Sequence, residues 1–417
     1  MSLRFRNFCA LGVAAALAVF PLPAKSRKKE PFRKSASRKT RSRKLSAGKV
    51  PARDVATPSK PVAKRKRAAR VARGPWRVPT YADSTVGDRY DGEDIVVRHA
   101  AVDALAGLNG SVVVTHPDTG LVLTIVNQKL ALQDGFQPCS TVKVPVALAA
   151  LSESVVERET RIHLYGRTSI GLTEALAKSN NQYFATLGQK LGFERVTYYA
   201  KLFGLGEKAG FNIDGEQAGL LPRSTPHNGI GMMTSFGDGI TVTPLELAAL
   251  IGAVANGGNL YYLQYPRTLE EAATMEPRVK RHLDIEAIIP EIKPGLAGAV
   301  EFGTARRAGA QSDETIYGKT GTCTDSRTPT HLGWFASFTD SPTGKVAVVV
   351  LLTGARAVSG AAASGVAGNV YKNLEEAGYF GAPHAANGNR DARYALASNS
   401  DVSSSHSETR SSKSLRR

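Results

Sequence analysis

The 417-residue sequence lacks the residue patterns that mark several common classes of protein. Its eight histidines are scattered without metal-ligand spacing, and we expect neither a metal nor a cofactor. Its N-terminal apolar run, Phe8–Phe20, is shorter than the roughly 20 residues that a membrane-spanning helix needs. No glycine-rich turn followed by a helix surrounds its Gly318-Lys-Thr-Gly321 segment, which excludes a phosphate-binding loop. No internal repeat is apparent, which argues against a repeat architecture.

The first 24 residues have the layout of an export signal. Arg4 and Arg6 precede the apolar run, and Pro-Leu-Pro-Ala24 follows it. This order predicts a secretory signal peptide cleaved near Ala24, with a short uncleaved membrane anchor as the alternative. Cys9 lacks the small preceding residues of a lipoprotein signal. The sequence therefore predicts an exported protein of the periplasm or cell envelope.

Positive charge is concentrated in residues 25–73, which hold 20 Lys and Arg against the acids Glu30 and Asp54. Residues 74–417 hold 32 basic and 34 acidic residues. Dense like charge and few apolar residues predict that residues 25–84 form a disordered linker. This linker either separates the N-terminus from the folded part or contacts anionic membrane or acidic cell-wall polymer. It has almost no aromatic residues for base stacking, so nucleic acid is not expected as a partner.

Residues 85–383 are numerous enough for a sizeable core and follow an α+β pattern. Ser111–Thr115 and Leu121–Val126 flank a Pro-Asp-Thr-Gly turn, which predicts a strand hairpin. Mostly helical sequence follows, and the tail 384–417, rich in Ser, Asn and Arg, is predicted to be disordered. The last predicted elements of the folded part are the strands Thr315–Thr322, His331–Phe338 and Lys345–Leu352, then a helix with Val366, Val370 and Leu374 on one face.

Ser140-Thr-Val-Lys143 is a candidate pair of nucleophile and base. The helix-forming segment Val144–Leu151 follows it, which places Ser140 in the first turn of a helix. Residues three apart share a helical face, so the Lys143 amine can reach the Ser140 hydroxyl. A serine hydroxyl needs a neighbouring base, and burial beside positive charge lowers the pKa of a lysine enough to serve. In isolation such a motif is more often a capping serine beside a surface lysine.

Ser179-Asn-Asn181 separates two predicted helices, Gly171–Lys178 and Gln182–Leu191. In isolation the cluster indicates a helix cap. Beside a serine nucleophile, the Ser179 hydroxyl can relay a proton to a leaving group, and the Asn181 amide can hold a substrate amide.

Lys319-Thr-Gly-Thr322 lies in a predicted strand. Gly318 and Gly321 within a strand indicate that another backbone or a ligand approaches closely. The lysine and the two threonines together suit a carboxylate. In isolation the segment indicates a sheet-edge lysine beside solvated threonines.

These three motifs, in this order, are similar to those of the penicillin-recognising serine acyltransferases. Residues 85–383 resemble the transpeptidase domain of penicillin-binding proteins. The resemblance implies a five-stranded antiparallel sheet flanked by helices, with a helical subdomain and a site between the Lys319 strand and the helices. Further segments similar to that family are Gly215-Glu-Gln-Ala-Gly-Leu-Leu-Pro222, Thr243-Pro-Leu-Glu-Leu-Ala248, Ala255-Asn-Gly-Gly258 and Gly333-Trp-Phe-Ala-Ser-Phe338.

The resemblance also implies roles for the motif residues. A D-Ala-D-Ala stem peptide of peptidoglycan, or a β-lactam antibiotic as inhibitor, would acylate Ser140. Lys143 would be the base, and Ser179 would carry the proton to the departing D-alanine. Backbone N–H groups of Ser140 and Thr322 would form the oxyanion hole. The implied substrate-binding residues are Asn181 for the acyl-side amide and Lys319, Thr320, Gly321 and Thr322 for the terminal carboxylate.

Cys139 and Cys323 directly flank Ser140 and Thr322. If the two N–H groups aim at one oxyanion, the outer neighbours should lie close enough for a disulfide. The placement resembles the bridge of some class A carbapenem-hydrolysing β-lactamases, and export favours disulfide formation. The alternative is a pair of free, buried thiols.

Other functions stay open at this point. The chain could trim stem peptides as a D,D-carboxypeptidase, hydrolyse antibiotics as a serine β-lactamase, or act as a non-catalytic wall-binding or β-lactam-sensing module. Against a β-lactamase, Glu216 lies in a transpeptidase-like context and is no convincing deacylating carboxylate. Neither Trp76 nor Trp334 is placed like the tryptophan of class D enzymes. The complete motif set argues against a non-catalytic module.

Overall fold

The structure, a computed structural model, describes residues 76–380 except 165, 167, 326–328, 342 and 343. The predicted signal or anchor, the linker up to residue 75 and the tail 384–417 lie outside the described residues. Within the described part, no helix combines the length and the apolar character that crossing a bilayer requires.

Nine strands are found among the described residues. They are β1 (Gly110–Thr115), β2 (Val122–Val126), β3 (Ile162–His163), β4 (Ser169–Ile170), β5 (Asn259–Tyr261), β6 (Val279–His282), β7 (Ile316–Asp325), β8 (Thr330–Thr339) and β9 (Ala347–Gly354).

Eleven α-helices accompany these strands in the described part of the chain. They are α1 (Ile95–Leu105), α2 (Gln128–Ala131), α3 (Lys143–Ser152), α4 (Leu172–Ala177), α5 (Asn181–Leu202), α6 (Ile230–Phe236), α7 (Pro244–Ala255), α8 (Leu269–Thr274), α9 (Ile289–Glu301), α10 (Arg306–Gly309) and α11 (Gly360–Glu376).

One antiparallel sheet organises the fold, with the strand order β2-β1-β9-β8-β7. Short connections make β7, β8 and β9 sequential neighbours, and the early hairpin β1–β2 adds to the free edge of β9. β3 pairs with β4 and β5 with β6 in two small separate sheets. The α+β class and the five-stranded antiparallel sheet predicted from the sequence are thus confirmed.

Successive side chains of a strand point to opposite faces of the sheet, and both faces of this sheet are buried by helices. Val113 and Val349 belong to a core that includes residues of α3, α5 and α7. Val112 and Val348 belong to a second core on the other face, which includes residues of α1 and α11. The predicted face of the last helix, with Val370 among its residues, packs into this second core. Covering helices on both faces explain why β8 and β9 are buried along almost their whole length.

Residues 77–84 are attached to the folded domain, although the sequence-based boundary assigns them to the linker. The Asn109 N–H donates to the Thr80 carbonyl at 2.9 Å, and the Ala82 N–H donates to the Gly107 carbonyl at 3.1 Å. The Ser84 hydroxyl donates to the Leu108 carbonyl at 3.0 Å. These contacts are hydrogen bonds, most of them between backbone groups, and they leave no apolar periodicity in the sequence, so composition alone does not reveal them.

Candidate active site

A cleft of about 690 Å³ lies beside β7 and brings the three motifs together. The motif residues that line it are Ser140, Ser179, Asn181, Thr320 and Thr322. They come from a turn before α3, the junction of α4 and α5, and the strand β7. The fold thus assembles one site from segments that are far apart in the sequence.

Ser140 lies in a 3-10 turn, Cys139–Val142, that continues directly into α3 at Lys143. The sequence placed Ser140 in the first turn of an α-helix, and the structure tightens that turn into 3-10 geometry. Lys143 Nζ lies 2.6 Å from Ser140 Oγ. The predicted contact between residues three apart is therefore present, and Ser140 is only 8% exposed.

The Lys143 amine is fully buried and has three close polar neighbours. Besides Ser140 Oγ, Nζ lies 2.7 Å from Asn181 Oδ1 and 3.2 Å from Ser179 Oγ. Burial, with a smaller contribution from the positive charge of Lys319, lowers the pKa of Lys143 to about 6. At neutral pH the amine is thus mostly uncharged. A neutral amine donates to the amide oxygen of Asn181, which can only accept, and keeps a lone pair for the Ser140 hydroxyl proton.

The second motif combines a helix cap with two groups that face Lys143. Asn180 is the N-cap of α5, and its side chain accepts a hydrogen bond from the Tyr183 N–H at 2.8 Å. Ser179 precedes it with φ of +55°, a left-handed conformation that is uncommon for a residue with a side chain. The capping interpretation therefore holds for Asn180 alone, while Ser179 and Asn181 reach the buried amine.

Lys319 is fully buried in β7, where its amine donates to the Thr320 carbonyl at 3.1 Å. Burial lowers the pKa of Lys319 to about 7. No carboxylate among the described residues forms an ion pair with it. A buried amine of this kind gains most from an anionic ligand, because such a ligand would offset the cost of burying its charge.

The threonines of the third motif are held by groups outside the motif. Thr320 Oγ1 lies 2.5 Å from Thr304 Oγ1. Thr322 Oγ1 accepts a hydrogen bond from the Gly360 N–H at 2.7 Å, which leaves the Thr322 hydroxyl proton free to donate. Both side chains are therefore oriented where they line the cleft.

Gly321 allows β7 to pass against the turn that carries Ser140. A Cβ at position 321 would lie 2.8 Å from the Pro138 carbonyl oxygen and 3.2 Å from Cys139 Cβ. Trp334 stabilises the same contact between strand and turn, since its indole N–H donates to the Gln137 carbonyl at 2.9 Å. The close backbone approach that the sequence indicated is therefore present at this glycine.

We expect Gly321→Ala to lower both stability and the rate of any reaction at Ser140. The added methyl would meet backbone atoms that cannot move freely, and such overpacking typically costs about 1–3 kcal/mol. The measurement is denaturant unfolding of the full chain. Gly252→Ala in α7 is the matched control, because its Cβ would have only an ordinary contact at 3.8 Å. Equal stability of both variants would contradict the tight approach at Gly321.

A disulfide joins Cys139 and Cys323, whose Cα atoms are 5.6 Å apart and whose sequence separation is 184 residues. The bond connects the residue before Ser140 to the residue after Thr322. It therefore keeps the backbones of Ser140 and Thr322 close together, at the place where an oxyanion hole is expected.

Glu216, the carboxylate considered for deacylation, is buried outside the cleft and bound to backbone N–H groups. It is almost fully buried and accepts hydrogen bonds from the N–H groups of Ala209 and Gly210 at 2.7 to 3.1 Å. Burial raises its pKa. It does not line the cleft, and among the described residues around the cleft none is acidic.

A second cavity, of about 480 Å³, lies near Gln128, Tyr265 and Arg267 and contains none of the motif residues.

The two tryptophans lie outside the site. Trp76 packs on the ring of His331 with centroids 4.2 Å apart, and Trp334 is buried beside Gln137. Neither tryptophan lines the cleft.

Sequence reasoning missed several residues of the cleft. Phe236, Thr304, Arg306, Arg307 and Ser359 all line it. The adjacent arginines shortly before the Lys-Thr-Gly-Thr strand were the available signal. The sequence around Thr304 and Ser359 carries no such signal, because only the fold brings these two residues to the motif residues.

A buried serine–lysine pair, a second serine and a positively charged cleft on this α+β fold form a site suited to serine acyl transfer on an anionic substrate. Residues 110–376 match the family described as penicillin binding protein transpeptidase domain. This protein belongs to that family.

Curated relatives and a solved structure agree with this assignment. The chain is 30% identical to stage V sporulation protein D of Bacillus subtilis over 226 residues, 48% of this chain and 34% of that protein. It is 25% identical to peptidoglycan D,D-transpeptidase MrdA of Haemophilus influenzae over 294 residues, 55% of this chain and 45% of that protein. The chain thus spans less than half the length of these two relatives.

The crystal structure of Pseudomonas aeruginosa PBP2 in complex with WCK 5153 is similar to this structure with a TM-score of 0.57 and 27% identity. The similarity covers 68% of this chain and 74% of that one.

Proposed function

We propose that this protein is a serine D,D-transpeptidase that acts on D-Ala-D-Ala stem peptides of peptidoglycan through an acyl-enzyme on Ser140. The observation that carries the proposal is the position of the Lys143 amine. It is buried, it has a pKa lowered to about 6, and it lies 2.6 Å from Ser140 Oγ. The names of the relatives support peptidoglycan as the substrate, since MrdA is named a peptidoglycan D,D-transpeptidase.

Acylation begins when neutral Lys143 accepts the Ser140 hydroxyl proton. Ser140 Oγ then forms a bond to the carbonyl carbon of the penultimate D-alanine. The negative charge that develops on the carbonyl oxygen is stabilised by the backbone N–H groups of Ser140 and Thr322, which the Cys139–Cys323 bond keeps adjacent. The C–N bond breaks as Ser179, 3.2 Å from Lys143 Nζ, passes the proton to the departing amine.

Substrate binding uses the remaining motif residues. The terminal carboxylate lies at Lys319, Thr320 and Thr322, with the Gly321 backbone between the two threonines, and its charge favours the protonated form of the buried Lys319 amine. Asn181 holds the acyl-side amide. The amine of a second stem peptide then attacks the carbonyl carbon of the ester, and Lys143 accepts a proton from that amine. The ester C–O bond breaks, and Lys143 returns the proton to Ser140 Oγ. Attack by water in place of the amine gives D,D-carboxypeptidase activity on the same acyl-enzyme.

A β-lactamase is the weaker candidate at this site. Rapid deacylation of a penicilloyl-serine in class A β-lactamases uses a carboxylate as the base for the attacking water. Among the described residues around the cleft no carboxylate is available, and Glu216 is held by backbone amides away from it. β-Lactams are therefore expected to acylate Ser140 and remain bound.

A cell-envelope location follows from this substrate. The export signal or anchor expected at the N-terminus would carry the domain there, and the basic linker would contact anionic membrane or cell-wall polymer.

The test is the intact mass of the full chain as a function of time after addition of benzylpenicillin, with Ser140→Ala in parallel. We expect the mass to increase by one penicillin and to persist in the wild type, with no increase in Ser140→Ala. Drug consumption without a lasting adduct would identify a β-lactamase. Neither an adduct nor consumption would favour a non-catalytic module.

The acylation rate should increase with pH through about 6, because only neutral Lys143 accepts the serine proton. At lower pH the amine is protonated, and the rate should fall about tenfold per pH unit for one required deprotonation. The measurement is the second-order rate constant for penicillin acylation between pH 5 and 8. A flat profile across this range would contradict Lys143 as the base.

A further inference from the structure

Two arginines at the rim of the cleft have no role in the steps above. Arg306 and Arg307 begin the short helix α10 and both line the cleft. Both are exposed, and neither forms an ion pair with a carboxylate of the described residues. Two consecutive arginines that line the cleft without acidic partners among the described residues are available for an anionic ligand.

The helix that carries these arginines is held firmly against α11. Ala308 is fully buried, and its Cα lies so close to Gly368 that a Cβ there would approach it to 2.8 Å. The aliphatic part of Arg307 lies beside Gly365, 3.6 Å from the position a Cβ would take. The guanidinium groups therefore extend from a fixed backbone.

The charge of the cleft is positive only. The described residues that line it include both arginines and no acid. The buried Lys319 amine balances the single terminal carboxylate, and Lys143 is mostly uncharged at neutral pH. The positive charge of the two arginines, on the α10 side, is therefore left without a partner in the donor peptide.

The arginines lie at the carboxylate end of the cleft. Arg306 follows Thr304 closely in sequence, and Thr304 Oγ1 lies 2.5 Å from Thr320 Oγ1. Ser140 and Ser179 mark the position of the scissile bond, and Thr320 marks the position of the terminal carboxylate. A donor peptide ends at that carboxylate. The ligand that can extend further toward α10 is therefore the acceptor, which enters where D-alanine leaves.

We propose that Arg306 and Arg307 bind a carboxylate of the acceptor peptide, and that this protein selects acceptors with a negative charge beyond the attacking amine. The inference rests on the proposed acyl transfer at Ser140. It adds a specificity-determining pair to that reaction. The arginines hold the acceptor and take no part in bond formation.

The test uses cephalosporins as probes of this end of the cleft. Ceftriaxone, cefotaxime and cefepime share one acyl side chain and carry an anionic, a neutral and a cationic group at the C3 position, respectively. The C3 group extends past the carboxylate that occupies the Thr320 subsite. The second-order acylation rate constant of each compound is measured by intact mass with the full-length wild type and the R306Q/R307Q double variant.

We expect the double substitution to slow acylation by the anionic compound about tenfold relative to the neutral one, which corresponds to about 1.4 kcal/mol. The cationic compound should react as fast with the variant as with the wild type, or faster. Because each compound is compared with itself, differences in intrinsic reactivity cancel. R306K/R307K should restore most of the preference, since it retains the charge.

K190Q/K201Q is the matched control, because it removes two positive charges from exposed positions of α5 that do not line the cleft. It should leave all three rates unchanged. Equal slowing of all three compounds by R306Q/R307Q, or no change in any of them, would overturn the arginine subsite while leaving acyl transfer at Ser140 intact. Absence of any adduct with the wild type would instead refute the proposed function and the subsite with it.

Discussion

Lys143→Met is expected to slow acylation by penicillin by about 10²- to 10⁴-fold, the range that a positioned general base contributes. Methionine fills a similar buried volume but cannot accept the Ser140 proton. The second-order rate constant from intact mass measures the loss. Lys190→Met, at an exposed position on α5, is the control and should react like the wild type. A variant with more than a tenth of the wild-type rate would show that another group activates Ser140.

The same substitution should raise stability, because the buried amine destabilises the fold. In the unfolded chain the Lys143 pKa returns to its ordinary value of 10.5, whereas in the fold it is about 6. Between these values the unfolded state binds one more proton, so the free energy of unfolding of the wild type increases with pH, by about 1.4 kcal/mol per unit for this group. Below pH 6 both states are protonated and the contribution is constant.

We therefore expect Lys143→Met to increase the free energy of unfolding at pH 7 by about 1–3 kcal/mol, after the loss of the hydrogen bonds to Asn181 and Ser179. The gain should shrink as the pH approaches 10.5. Denaturant unfolding at several pH values measures it. A less stable variant at pH 7 would mean that the polar contacts of the amine outweigh the cost of its burial.

Removal of the Cys139–Cys323 bond is expected to lower the free energy of unfolding by about 2–5 kcal/mol. The bond closes a segment of 184 residues, and long closed segments restrict the unfolded chain most. The variant is C139S/C323S, compared with the wild type by denaturant unfolding. Wild type treated with a thiol reductant should behave like the double variant. The single variants should lose as much stability as the double one.

The disulfide should also affect chemistry at Ser140. Cys139 has φ of +53°, a left-handed backbone that a residue with a side chain adopts only when its surroundings hold it. Without the bond to β7, this residue can relax and move the Ser140 N–H away from Thr322. We expect C139S/C323S to acylate more slowly than the wild type at temperatures where both are folded. Unchanged stability and rate, or two alkylatable thiols in unfolded, non-reduced wild type, would refute this role.

The sequence predicted the fold class and the main sheet well, because long strands and an amphipathic last helix carry strong periodic signals. It missed the short strands β3 to β6, which have too few residues to show a period. It also placed the linker boundary after residues 77–84, whose attachment relies on backbone hydrogen bonds such as that between Asn109 and Thr80.

The candidate site could be predicted as far as its residues lie in compact motifs. Ser140 and Lys143 reveal their contact through helical spacing alone. Thr304 and Ser359 could not be found in this way, because only tertiary structure brings them to the third motif. The lowered pKa of Lys143 was expected in direction, but its value depends on a burial that no sequence pattern gives.

The most direct test of the account is incubation of the full chain with stem peptides that end in D-Ala-D-Ala and carry a free amine. Mass spectrometry would then quantify free D-alanine and cross-linked dimer. We expect one D-alanine released per dimer formed, and neither product with Ser140→Ala. D-alanine without dimer would indicate a carboxypeptidase, whereas no release, or release that Ser140→Ala leaves unchanged, would contradict acyl transfer at Ser140.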